Sequence, residues 1–385
     1  MYKRIPLAWL QPSKEKARLS IALAGVAFAV ILVSMQIGFQ SSMYDSAIRY
    51  HHLFQYDLVM LSPSTPFIGY PESFSRRRLY QTLAVEQVEA VTPIYIRQGM
   101  WKNPWQHKRR GLLVVGFDPN HDILAISGVQ ENLDLLKLPD TALFDSASRP
   151  EFGPVAAKFQ EQGEVKAEVN DRRIHVPALF HLGSSFGIDG SLITSDLNYQ
   201  RIFPDRPAGF IELGLIHLSE DTDSVAVQQT LVSALEQDVE ILTQTEFIER
   251  ELEYWRTTTP IGYVFGFGAI MGLIVGCVIV YQILFADVSE HQAEYATLKA
   301  MGYKNSNLST MVLNEAAILA VLGFIPGLLV TVVLYQGMAE ATSLPIVMTF
   351  ERGITVFLMT LGMCAISGLM ALRKVRSTDP AEVFA

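Results

Sequence analysis

Four uninterrupted apolar runs constrain this chain before anything else: residues 19–40, 261–286, 308–336 and 353–372. Crossing the hydrocarbon core of a bilayer as an α-helix takes roughly 20 mainly apolar residues, and each run is long enough. A helix satisfies its own backbone hydrogen bonds in lipid, so these runs are predicted transmembrane helices. In the first, Ala27-Phe28-Ala29 imitates a signal-peptide cleavage site. The run continues past that point as VILVSMQIGF, longer than the core of such a peptide, and is read as a retained span. Composition agrees. Charged residues make up 18% of the chain, below the roughly 25% usual for soluble domains.

Basic residues beside the spans set the orientation. Residues 1–18 hold Lys3, Arg4, Lys14, Lys16 and Arg18 against Glu15, and Arg373, Lys374 and Arg376 follow the fourth run. Both tails, 1–18 and 373–385, are therefore expected in the cytoplasm of a multi-pass plasma (inner) membrane protein. Residues 41–260 then fall in the periplasm with a short loop at 337–352, and 287–307 returns to the cytoplasm. The outer block carries 19 basic and 30 acidic side chains, a balance of −11, in a chain of net charge −9. That charge argues against nucleic acid as a partner.

The outer block is large enough for a core of its own. Tyr56–Leu61, 90–96 and Gly111–Phe117 read as strands, with a helix predicted over Ser75–Val88. The pattern returns as strand Gly209–Leu218, helix Val225–Glu236 and strand Val239–Thr243. Two such halves, 41–118 and 208–244, imply one layer of sheet and helix. Residues 119–207, rich in Gly, Pro and Asp with short strands such as Arg173–Phe180, are expected to form an inserted β-rich subdomain. TEFIERELEYWRTT predicts a stalk helix over 245–260. It either runs stiffly into the second span or rests at the interface with Tyr254 and Trp255 as anchors. The fold class expected is an α-helical membrane protein with four transmembrane helices and a large α+β periplasmic domain between helices 1 and 2.

Small residues permit close helix approach in a membrane. Gly268, Gly272 and Gly276 recur at four-residue spacing in the second span, and Gly323 and Gly327 flank Pro326 in the third. They serve packing within one chain or a homodimer interface. Glu315 is the one acidic residue well inside a span, and a structural or docking role is expected for it. No chain of ionisable residues crosses the bilayer, as an ion pathway would need.

The cytoplasmic loop at 287–307 is more than a connector. Tyr295, Leu298 and Met301 recur every three residues and share one face of a short helix, with Glu290, Glu294 and Lys299 beside it and Gly302 as a stop. An apolar stripe there either lies on lipid head groups or enters a groove on a soluble partner.

In the acidic outer block, Arg76, Arg77 and Arg78 form a basic patch, and WKNPWQHKRR (101–110) adds another with Trp101 and Trp105. Each reads as solvated surface or as a contact for lipid or a protein partner. His51 and His52 read as surface. Cys277 and Cys364 both lie in apolar runs, where neither a disulfide framework nor a zinc site can be built. No constellation of catalytic, cofactor-binding or metal-ligating residues stands out.

EYATLKAMGYKNSNL followed by NEAAILAVLGFIPGLLV, and the tail RKVRSTDPAEVFA, resemble MacB/FtsX-type ABC transporter permeases. The order of one span, a large outer domain and three spans is similar throughout. RIPLAWLQPSKEKARLSIALAGVAFAVIL, SFSRRRLYQTL and WKNP look more narrowly like DevC-type permeases, from cyanobacterial exporters of heterocyst envelope glycolipids. The resemblance implies a homodimeric, non-catalytic subunit that transmits motion through residues 290–303, a coupling helix. ATP and Mg would be bound by a separate DevA-like ATPase subunit. The outer domain would meet a DevB-like membrane-fusion protein and, through it, a TolC-like outer-membrane channel, in export of a glycolipid or other amphiphile. Lipoprotein release, or FtsX-like signalling to cell-wall hydrolases without transport, are the alternatives. MacB carries its ATPase in the same chain, whereas this sequence has no G-x-x-x-x-G-K-[ST] phosphate loop.

Overall fold

The computed structural model describes residues 16–377 apart from 122, 302 and 304. The expected N-terminal tail up to residue 15, residues 378–385 and Gly302 lie outside the described residues. A long helix α1 (Lys16–Ala47) leads into a 3₁₀ turn, Ile48–His52. There follow β1 (Leu58–Leu61), β2 (Phe74–Ser75), α2 (Arg76–Gln81), β3 (Val88–Lys102), β4 (Arg109–Phe117), α3 (Leu133–Leu136) and β5 (Ala142–Asp145). Next come α4 (Val155–Gln162), β6 (Val165–Val169), β7 (Arg172–Val176), β8 (Leu179–Phe180), β9 (Ser191–Ser195) and α5 (Asp196–Ile202). Then β10 (Phe210–Ile211), β11 (Leu213–Leu218), α6 (Ser224–Ala234), β12 (Glu240–Thr243) and α7 (Gln244–Glu253) complete this region. The chain ends in α8 (Pro260–Glu290), α9 (Gln292–Ala300), α10 (Asn305–Thr342) and α11 (Phe350–Ser377). Two compact units result, one of Met43–Pro260 with Thr342–Pro345, the other of the remaining helical segments.

The first unit is built on one mixed sheet in the order β12-β1-β11-β3-β4-β9-β5-β8, with the β6–β7 hairpin joined to the end of β3. β1 is antiparallel to both β11 and β12, with Met60 opposite Gly214 on one side and Ile241 on the other. β3 is long enough to pair with β11 through its first half and with β4 through its second. Side chains alternate between two cores, as a pleated strand requires. Leu58, Met60, Leu112, Val114 and Ile241 enter one, and Val59, Leu61, Leu113, Val115 and Leu242 the other. Leu79 of α2, Tyr199 of α5 and Leu231 of α6 cover the first face. Tyr50, Ile68, Leu136 and Phe247 cover the second. Both faces are buried, so β1 and β4 read as continuous apolar runs.

The segment 119–207 differs from its expected role as a separate insertion. β9 pairs in parallel with β4, and β5 and β8 extend the same sheet. The predicted helix over 75–88 is also shorter. After a 3₁₀ turn, Thr82–Ala84, the chain is extended at Val85 and enters β3, which the sequence reading began and ended too narrowly.

In the second unit four helices are long and apolar enough to cross a membrane. Their shared core holds Val26 and Val30 of α1, Val280 and Leu284 of α8, Ala316 and Ala320 of α10, and Val356 and Met363 of α11. The glycines singled out from sequence face other helices of the same chain. A Cβ at Gly268 would lie 2.5 Å from Gln36 Oε1, one at Gly276 2.8 Å from Ala29 Cβ, and one at Gly323 2.6 Å from Val26 Cβ. At Gly327 it would meet Val30 Cβ at 2.8 Å and the Ala27 carbonyl oxygen at 2.9 Å. Gly272 is looser, 3.5 Å from Val33. These gaps let α8 and α10 approach the α1 backbone. The Tyr335 hydroxyl of α10 donates to the Ser34 carbonyl of α1, and Ser367 Oγ of α11 donates to the Cys277 carbonyl of α8 at 2.8 Å.

Gly327→Leu should cost about 1–3 kcal/mol by overpacking against backbone that cannot yield. Gly266, whose Cβ would meet nothing within 4 Å, should accept leucine without loss. Thermal unfolding of the two variants in detergent checks the contrast, and equal stabilities would contradict this packing.

Candidate functional site

The loop between the second and third spans folds as expected, but its faces are reversed. α9 is nearly continuous with α8: the Tyr295 amide donates to the His291 carbonyl, and the His291 amide to that of Asp287. Tyr295 is only 5% exposed and packs with Val288 of α8, Val312 of α10 and Leu372 of α11, with Leu298 partly buried beside them. Burial, and then the charges of Glu315, Asp287 and Glu294, push the Tyr295 phenol up. The apolar stripe is therefore no docking face. It seats α9 on the ends of three long helices, which supply an apolar surface that the loop sequence alone does not reveal. Met301 departs from the stripe and is 63% exposed. The outward surface is instead Glu290, Ala293, Glu294, Thr297 and Met301, whose spacing follows one side of a helix. Lys299 lies within α9.

A second cluster forms inside the sheet-containing unit, where the segment after α1 meets α7. Glu251 is 3% exposed and accepts hydrogen bonds from the Ile68 amide and from Trp255 Nε1, both at 2.9 Å. His51 Nε2 stands 3.5 Å from Glu251 Oε2, and the His51 ring lies 4.2 Å from that of Phe247. His51 is thus fully buried rather than on the surface, while His52 is exposed. Burial pushes the Glu251 carboxyl up to about 7; the Ile68 and Trp255 hydrogen bonds and the nearby Arg250 charge only partly oppose this.

The stalk differs from both of its expected forms. α7 starts with a capping box, in which Thr243 and Glu246 satisfy each other's backbone groups. It ends in a π-helical turn, Tyr254–Thr258, and Thr259 is extended with φ −99 and ψ 143 before α8 begins at Pro260. Proline disfavours a helical conformation in the residue before it, which breaks the rod there. Trp255 is buried at 6% exposure among Phe67, Phe186 and Tyr254, so it is not an interface anchor.

The basic patches divide similarly. Arg78 pairs with Glu236 and, at 2.9 Å, with Asp238, tying α2 to the turn before β12. Arg76 and Arg77 are exposed. Trp101 is fully buried, donates from Nε1 to the Phe152 carbonyl at 3.1 Å and packs on Phe144, which removes it as a partner contact. Its place in β3, pointing inward, decides this. Trp105 is 38% exposed and covers Gly153.

Residues 266–380 match the FtsX-like permease C-terminal family. Over 234 residues the chain is 24% identical to the pyoverdine export ATP-binding/permease protein PvdT of Pseudomonas syringae pv. tomato, a match covering 60% of this chain and 32% of that protein. The chain thus spans about a third of the length of that curated relative. Among solved structures, the periplasmic region of MacB from Actinobacillus actinomycetemcomitans is similar at 12% identity and TM-score 0.35, covering 54% of this chain and 95% of that one. The extracellular domain of the noncanonic ABC-type transporter YknZ from Gram-positive bacteria is similar at 9% identity and TM-score 0.32, covering 49% of this chain and 99% of that one.

Two outcomes test this geometry. Leu298→Asp should destabilise the helical unit by about 2–4 kcal/mol, since it places a carboxylate in a half-buried apolar seat; a normal unfolding temperature would contradict the inward orientation. Glu251 is protonated more readily folded than unfolded. Its contribution is complete below the ordinary glutamate value and is lost as pH rises from about 4.5 to about 7. Glu251→Gln should therefore flatten the stability–pH profile across that window by on the order of 2 kcal/mol. Parallel profiles for wild type and variant would exclude a raised carboxyl.

Proposed function

We propose that this chain is the permease subunit of a MacB/FtsX-type ABC exporter. The observation that carries the reading is the match of residues 266–380 to the FtsX-like permease C-terminal family, in a chain whose α+β unit lies between its first and second apolar helices. The export-type relative is consistent with it. ATP and Mg would bind to a partner ATPase, and the outward surface of α9 would receive that subunit. Two copies of the chain would work together, with both tails on the ATPase side and the α+β unit on the other. On this reading the cargo is an amphiphile such as a glycolipid, handed to a membrane-fusion protein and a TolC-like channel. Few polar side chains line the spans, which suits transmission of motion better than passage of cargo between them.

Purification of the full chain from native membranes, followed by identification of what remains bound, tests the reading. A retained ATPase and fusion protein are expected; a retained cell-wall hydrolase or lipoprotein carrier would replace it. Ala293→Arg combined with Thr297→Arg should weaken ATPase retention by about tenfold or more, because new charge lands on the docking surface. The variant's unfolding temperature should not change. Undiminished retention would show that the ATPase docks elsewhere.

A further inference from the structure

A groove of about 450 Å³ opens between α10 and α11 near the end of α10 and the start of α11. Its lining is apolar and strongly aromatic: Phe324 and Phe357, whose rings stand 5.1 Å apart, with Ile325, Phe350, Gly353 and Ile354 around them. Gly353 leaves it open, because a Cβ there would meet nothing within 4 Å. Phe350 is 83% exposed, and Ile325 and Ile354 are also exposed. We propose that this groove holds one acyl chain of a membrane lipid from the leaflet at which the 343–349 connection emerges, with the lipid's anionic phosphate near Arg352.

Three observations select this occupant. Both helices are of membrane-crossing length and hydropathy, so the groove lies within hydrocarbon reach, close to one interface. At its mouth the Arg352 guanidinium is held by a bond from Nη1 to the Val347 carbonyl at 2.7 Å, and the Arg352 amide donates to Thr349 Oγ1. A fixed cation beside an apolar slot matches a phosphate joined to an acyl chain. The rim is also wrong for a second copy of the chain. Helix–helix contacts in membranes favour small residues, whereas here Phe350, Ile325 and Ile354 stand outward. Gly276, Gly323 and Gly327 are already used within the chain. A flexible chain can thread between such side chains where a helix cannot.

The site needs only that these helices lie in a bilayer, and does not rest on the exporter reading. The probe is phosphatidylglycerol carrying a photoactivatable diazirine on one acyl chain, in vesicles holding the full-length protein. Peptides bearing Ile325 and Ile354 should be labelled about tenfold more than the exposed α8 face at Val264 and Phe267. Labelling should fall to the level of that face in Gly353→Trp, which fills the groove. Even labelling of both faces in wild type would overturn the proposal whether or not the variant folds. So would efficient disulfide trapping of Ile354→Cys between two copies, which would make the groove a protein interface. Arg352→Gln should lower labelling by the anionic probe while sparing a phosphatidylcholine analogue less dependent on the cation; an unchanged preference would remove the phosphate from the assignment.

Discussion

Hydrogen bonding of β1 between β11 and β12 is the constraint on which the architecture depends. β1 is the first strand after α1, and β11 and β12 are the last two strands before α8. Pairing the beginning and end of a long excursion closes a loop of well over a hundred residues. That long-range closure carries an entropic cost, to be offset by contacts along the way. Here it is offset by two cores. Leu58 and Met60 enter one, and Val59 and Leu61 the other, all at 0% exposure. Everything between can vary in length and still leave the chain where it began, which is what allows a domain to interrupt a helical membrane segment.

Within the helical unit α1 plays the comparable part. α8 meets it through Gly268 and Gly276, and α10 meets it through Gly323, Gly327 and the Tyr335 hydroxyl. Where lipid offers no hydrophobic contrast, helices associate through van der Waals contact and hydrogen bonds, and each of these glycines moves a backbone closer. The buried His51–Glu251 pair obeys a different logic. A carboxyl with two donors and an adjacent imidazole costs more to bury than apolar residues would, but it makes one arrangement of α7 against the 3₁₀ turn far better than its neighbours.

What the sequence made legible follows from period and length. Four spans, strands such as Gly111–Phe117 and Val239–Thr243, and the helix beginning at Thr245 all carry local signals: apolar length, unbroken β-branched runs and a Thr–Glu capping box. Direction was not legible. The spacing of Tyr295 and Leu298 places them on one face, yet only the distant Val312 and Leu372 turn that face inward. Trp101 looked like part of an exposed basic loop because Lys102, Lys108, Arg109 and Arg110 surround it in sequence. In space it points to the other side of a strand, onto Phe144. The segment 119–207 looked separable because its strands are short, and its membership in the sheet depends on the parallel pairing of β9 with β4, a contact between residues far apart in the chain.

The inward seating of α9 also bears on how a membrane unit without a polar pathway can respond to a force. Tyr295 touches Val288, Val312 and Leu372, one residue from each of α8, α10 and α11. A displacement of α9 therefore reaches three helices at once, through close-packed side chains with little room to absorb it. From α8 and α10 it passes to α1 across glycine contacts that leave almost no compliance. The covalent routes onward are unequal: α1 is helical without a break from Lys16 to Ala47, whereas the return path is jointed at Thr259. A continuous helix transmits axial motion and a joint permits rotation, so the two strands of connection can do different mechanical work even though they carry the same domain.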